Sequence, residues 1–161
     1  MIKFYKPTKI KNSSLLTISK DGEKNQWIYL PVFKSIKKLN TKERSKSFMG
    51  SDFSYIDIAG RELDDDKHKM LKIDKKYYYI RSTPIDKKDA YSKMELIIDK
   101  KKFVALKIIF YDKKGKQLKT LDNKEFKKVK GSYFAVLSVM KNLKHGGSTK
   151  LEVSEITVVK M

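Results

Sequence analysis

Lys93-Met94-Glu95-Leu96-Ile97-Ile98-Asp99-Lys100-Lys101-Lys102-Phe103-Val104-Ala105-Leu106-Lys107-Ile108-Ile109-Phe110-Tyr111-Asp112-Lys113-Lys114-Gly115 is the stretch on which the fold turns. Met94, Leu96 and Ile98 alternate with Lys93, Glu95 and Ile97; Val104, Leu106, Ile108 and Phe110 alternate with Ala105, Lys107, Ile109 and Tyr111. A period of two is that of a strand with one face turned inward. Residues 99–102 then make a tight connection between two half-buried strands, and Asp112-Lys113-Lys114-Gly115 makes a second turn, where Gly115 is free to take positive φ before residues 117–121.

Working outward, similar runs occur at residues 14–20, 26–30, 32–39, 69–73, 77–82, 126–129, 133–141 and 151–159. They are separated by Asp21-Gly22, Asn40, Asp74, Pro84, Gly131 and Gly146-Gly147. Turn signals about every 8 to 12 residues suit an all-β chain, read here as an antiparallel meander. Residues 52–59 are the helix candidate, one or two turns long, with Ser51 or Asp52 as N-cap. Residues 60–68, with Asp64-Asp65-Asp66 in the middle, and 86–89 read as exposed connections. With so little helix to cover a sheet, the apolar faces either mesh as a sandwich or curve around a hollow. A curved, incompletely closed sheet lined by Leu96, Ile98, Val104, Leu106, Ile108 and Phe110 makes a groove for an acyl chain, worth about 0.8 kcal/mol per buried methylene.

At 161 residues the chain suits one domain, long enough to build a core. A hydrophobic content of 40% sets it apart from a disordered tail despite 35% charged residues. The absence of cysteine excludes disulfides, thiolate metal sites and thiol nucleophiles. Hydrolase templates are missing: no Gly-x-Ser-x-Gly, no His-Glu-x-x-His and no phosphate-cradling glycine loop. Ser35-Ile36-Lys37-Lys38 matches Ser-x-x-Lys, but in extended sequence. His68 and His145 read as surface residues among lysines, and the aspartate run lacks the spacing of a calcium loop. No catalysis, metal or cofactor is expected. No apolar run approaches the ~20 residues that span a bilayer.

The formal charge of +19 invites a phosphate-rich partner. Yet only Arg44, Arg61 and Arg81 among the 38 basic residues are arginine, the side chain suited to bidentate readout. The lysines are spread along the whole chain, which favours a solvated basic surface. A lysine-rich sheet binding nucleic acid or anionic lipid head groups, with Tyr77, Tyr78 and Tyr79 as a stacking platform, stands as the alternative.

Two further segments carry a family likeness: Trp27, Tyr29 and Pro31 in Gln26-Trp27-Ile28-Tyr29-Leu30-Pro31, and the unbroken run Ser47-Phe48-Met49-Gly50-Ser51-Asp52-Phe53-Ser54-Tyr55. They resemble the LolA-like outer-membrane lipoprotein-sorting family, in the branch with a Trp-x-Tyr-x-Pro strand. The later meander with Tyr91, Gly115 and Lys119 agrees. The resemblance implies an open antiparallel half-barrel with an apolar concave face that carries acylated lipoproteins or other lipids across the periplasm, without chemistry. It assigns Trp27, Tyr29, Phe48, Met49, Phe53 and Tyr55 to the wall and lid of that groove, and suggests an envelope membrane transporter as partner. Family members begin with a signal peptide, an amphipathic helix and several strands before the Trp-x-Tyr-x-Pro strand. An N-terminal part is therefore expected to be missing here, leaving an edge near Ser14–Lys20 open to pairing with a second copy.

Overall fold

The computed structural model describes residues 1–20 and 23–158. The chain divides into two compact units, Met1–Asp64 and Asp65–Met161. In the first, β1 (Ile2–Lys3), β2 (Ser14–Lys20), β3 (Glu23–Leu30) and β4 (Ser35–Leu39) form an antiparallel sheet in that order. Leu15 pairs with Ile28 and Gln26 with Leu39, so these four share a face; Leu16, Trp27 and Lys38 stand across from one another on the other. The first face is the core, where Phe4, Ile10, Leu15, Ile28, Leu39 and Phe48 are buried and Leu30, Met49, Tyr55 and Ile58 pack against them.

The expected strand over 32–39 is shorter. Pro31–Phe33 is a 3-10 turn, since proline fixes φ and lacks a donor, and Lys34 takes a left-handed φ of 46° before pairing resumes at Ser35. Two short helices follow. α1 (Thr41–Arg44), which the sequence reading missed, starts from a reciprocal cap: Asn40 Oδ1 accepts from the Glu43 N–H at 2.9 Å and the Glu43 carboxylate accepts from the Asn40 N–H at 3.0 Å. α2 (Tyr55–Ala59) is capped by Ser54 rather than by Ser51 or Asp52, because Asp57 sits three residues on and its carboxylate accepts from both the Ser54 N–H and hydroxyl at 2.7 Å.

The second unit is a seven-stranded meander of β5 (Asp66–Ile73), β6 (Tyr77–Pro84), β7 (Lys93–Asp99), β8 (Val104–Tyr111), β9 (Gln117–Val129), β10 (Ser132–Asn142) and β11 (Ser148–Glu152). Each strand pairs antiparallel with its sequence neighbour, β5 and β11 are the outer strands, and the sheet stays open as a half-barrel. The predicted turn after Asp112 is present: Gly115 has φ of 79° and donates to the Asp112 carbonyl at 2.9 Å.

Two expected segments, 117–121 and 126–129, are one 13-residue strand. Its polar middle is served by neighbours: Asp122 faces Lys107 at 3.7 Å, and Asn123 donates to the Ala105 carbonyl at 2.8 Å and accepts from the Ser138 hydroxyl at 2.6 Å. The exposed connection predicted over 60–68 ends early, since β5 begins at a buried Asp66 and includes His68, whose Nδ1 lies 2.8 Å from Ser82 Oγ. The predicted Asp21-Gly22 turn and the end of the last strand at Val159 lie outside the described residues.

Candidate functional site

Pairing register decides which side chains share a surface in the second unit. One row crosses all seven strands through consecutive pairs: Met70–Ile80, Ile80–Leu96, Leu96–Ile108, Ile108–Leu121, Leu121–Met140 and Met140–Thr149. Six of its seven members are large and apolar. At ~4.8 Å per strand step the row is about 29 Å long along the curve, roughly twice the hydrocarbon depth of one leaflet. Exposure falls along it, from Met70 at 46% to Met140 at 0%, with Ile80, Leu96, Ile108 and Leu121 half-buried between. Met94 and Phe110 pair on the same face and both are buried. Phe110 stacks on Tyr91 at 4.9 Å, and the buried Lys119 ammonium lies over these two rings at 5.3 and 5.2 Å.

One residue away, the opposite face reads differently. The row Lys69–Arg81–Glu95–Ile109–Thr120–Lys141–Ser148 is polar apart from Ile109. Arg81 donates to Glu95 Oε1 at 2.8 and 3.2 Å, Lys93 lies 3.3 Å from the same oxygen, and the Tyr111 hydroxyl donates to Oε2 at 2.9 Å. Burial acts to raise the Glu95 carboxyl, but the hydrogen bonds from Arg81, Tyr111 and Lys93 outweigh it and hold the group below its ordinary range. Burial, then the bond to Glu95, pushes the Tyr111 hydroxyl up. The sheet thus has a greasy side and an ionic side.

The sequence-predicted groove residues divide on this geometry. Leu96, Ile98, Ile108 and Phe110 lie on the apolar face, with Ile98 beside Ala105. A bulge changes the count on β8: Ile97 pairs with Lys107 and Ile98 with Ala105, leaving Leu106 unpaired. Val104 consequently pairs with Asp99, on the side opposite Ile98.

The six residues assigned through the family likeness to the wall and lid of a groove lie in the first unit. Residues 47–54 make a tight loop closed by a Ser47–Ser54 bridge and a Phe48 N–H to Phe53 carbonyl bond of 2.7 Å, with Gly50 at φ 77°. Phe48 stacks on Phe4 at 4.6 Å and edge-on to Tyr55 at 5.2 Å, and Met49 joins the same core. Phe53 is buried at the base of the loop. Trp27 and Tyr29 sit on the other face, paired with Lys38 and Ile36. The residue that sequence reading passed over is Gln26, fully buried on the core face, whose amide donates to the Tyr55 carbonyl at 3.2 Å and so ties the start of α2 to the sheet.

The seven-stranded sheet is thus open, antiparallel and largely apolar on one face from β5 to β10. A family model described as "Uncharacterized protein" matches residues 1–161. Among solved structures, the chain is similar to one described as an outer membrane lipoprotein-sorting protein domain from Vibrio parahaemolyticus, at 32% identity and a TM-score of 0.86, over 95% of this chain and 68% of that one. The chain belongs to this LolA-like, outer-membrane lipoprotein-sorting family. A DUF1329 family protein from Desulfovibrio piger (21% identity, TM-score 0.78, 96% of this chain and 71% of that one) shares the fold. So does a LolA superfamily protein from Nitrosomonas europaea (22% identity, TM-score 0.74, 99% and 71%). No curated protein matches the chain.

Proposed function

We propose that this protein is a non-enzymatic carrier that holds the acyl chains of lipoproteins or other lipids against the apolar face of its seven-stranded sheet and moves them across the periplasm. The observation that carries the reading is the row from Met70 to Met140: six apolar side chains in register, open at the β5 end and closed at the β10 end. Apolar side chains that keep exposed area gain from a hydrocarbon partner in proportion to the area it covers, at about 25 cal/mol per Å² removed from water. Similarity to the Vibrio lipoprotein-sorting domain supports lipoprotein as cargo and a membrane component as the giving or receiving partner. β1 covers only Ser14 and Leu15 of β2, so pairing of a second copy along residues 16–20 is part of the same proposal.

Binding of a fluorescent fatty acid to the purified protein tests the reading. Saturable binding in wild type, weakened at least tenfold by Leu96→Asp or Ile108→Asp with an unchanged far-ultraviolet spectrum, is the expected result. Equal binding in wild type and both variants refutes it. Light scattering across a concentration series reports on the β2 edge, where a monomer throughout counts against pairing.

A further inference from the structure

We infer that the tip of the β3–β4 hairpin is a membrane-docking wedge that seats the first unit on an anionic phospholipid surface. Val32 and Phe33 are 83% and 71% exposed in the Pro31–Phe33 turn, and Ile36, at the start of β4, is 71% exposed. Large side chains so fully presented to water are not core; three of them within five residues make a projecting apolar point. Lys34, at the end of the turn, is held in a left-handed conformation at φ 46°, a shape an ordinary residue adopts only at a cost. Basic groups flank the point: Lys34 and Lys38 are exposed, and the Lys38 ammonium lies 5.6 Å from the Trp27 ring centre.

The chemistry selects the partner. A lysine bears its charge on a long apolar stem, so it can lie along a lipid tail region with its head among phosphates, while the neighbouring apolar residues enter about 5–10 Å into the head-group layer. Each lysine near such a surface adds attraction that salt screens. Trp27 and Tyr29, paired across from Lys38 and Ile36, are of the amphipathic aromatic type that settles at the membrane–water boundary. A nucleic acid would use the cations and stack a base on Phe33, but would leave the aliphatic Val32 and Ile36 in water.

Acyl binding is proposed for residues of the other sheet, so one experiment tests the two readings separately. Wild type, Val32→Asp/Phe33→Asp and Lys34→Gln/Lys38→Gln are sedimented with vesicles of phosphatidylglycerol and phosphatidylethanolamine, and with vesicles of phosphatidylcholine alone. Emission of Trp27, the chain's single tryptophan, is followed on titration, and fluorescent fatty acid binding is measured in parallel. The expected result is wild-type binding to the anionic vesicles with a blue shift of Trp27, weakened at least tenfold in the aspartate pair and severalfold in the glutamine pair or in 0.5 M salt. Fatty acid binding should be unchanged in both. Failure of wild type to bind anionic vesicles, equal binding to phosphatidylcholine, or wild-type affinity in the aspartate pair overturns the wedge, whatever the fatty acid result.

Discussion

The two sheets are built alike and finished differently. The four-stranded sheet closes its inner face with its own chain: Phe4, the loop residues Phe48 and Met49, and Tyr55 at the start of α2 fill it, and Gln26 fastens α2 in place. The seven-stranded sheet has no α-helix in its unit among the described residues, and its apolar row stays half-buried. Apolar area covered by the chain's own residues is spent on stability, whereas apolar area the chain leaves partly open is available to a ligand. The same hydrophobic alternation therefore means core in one sheet and, on the function proposed above, a surface for acyl chains in the other.

The largest expected effect breaks the filled side. Phe48→Ala removes a ring stacked on Phe4 and Tyr55 and should cost about 3–5 kcal/mol, read as a lower denaturation midpoint by the fluorescence of Trp27 in the same sheet. Ile108→Ala on the open side should cost no more than about half of the ~2–5 kcal/mol of a fully buried Ile→Ala change, yet weaken fatty acid binding. If Ile108→Ala proves as destabilising as Phe48→Ala, the contrast between the sheets is lost. Ser54→Ala removes the cap of α2 and should cost about 1 kcal/mol by denaturant titration.

The smallest effect is on pH dependence, from the ionic side of the open sheet. Glu95 is held below its unfolded value, near ~4.3, so its contribution is present above that pH and is lost as pH falls through the lower folded value. Glu95→Gln should leave a flatter acid limb in a plot of stability against pH than wild type shows.

Alternation told most of the strands apart because each half-buried strand shows its period directly in its sequence. It failed where geometry departs from the period. The bulge at Leu106 moves Val104 to the far side, and nothing in the sequence from Val104 to Phe110 marks the slip. In β3 the family likeness assigns Trp27 and Tyr29 to a groove, and the residues that alternate with them, Gln26 and Ile28, face the core of the four-stranded sheet, where the Tyr55 carbonyl gives the Gln26 amide a partner that the sequence does not announce. The run Ser47 to Tyr55 carries the family likeness in plain sequence, but its core neighbours Phe4, Ile28 and Leu39 are set by the pairing of distant strands and are not legible there. α1 had a legible start in Asn40 and Glu43, but a single turn shows no apolar period to confirm it.

On the proposed function, hydrocarbon lies along the row from Met70 to Met140. Photocrosslinking of the purified protein with a diazirine-bearing fatty acid, mapped by peptide mass spectrometry, tests it most directly. Label is expected on Ile80, Leu96, Ile108 and Leu121, competed away by unlabelled fatty acid. Label concentrated on the ionic face, at Lys69, Arg81 or Lys141, or insensitive to competitor, would contradict it.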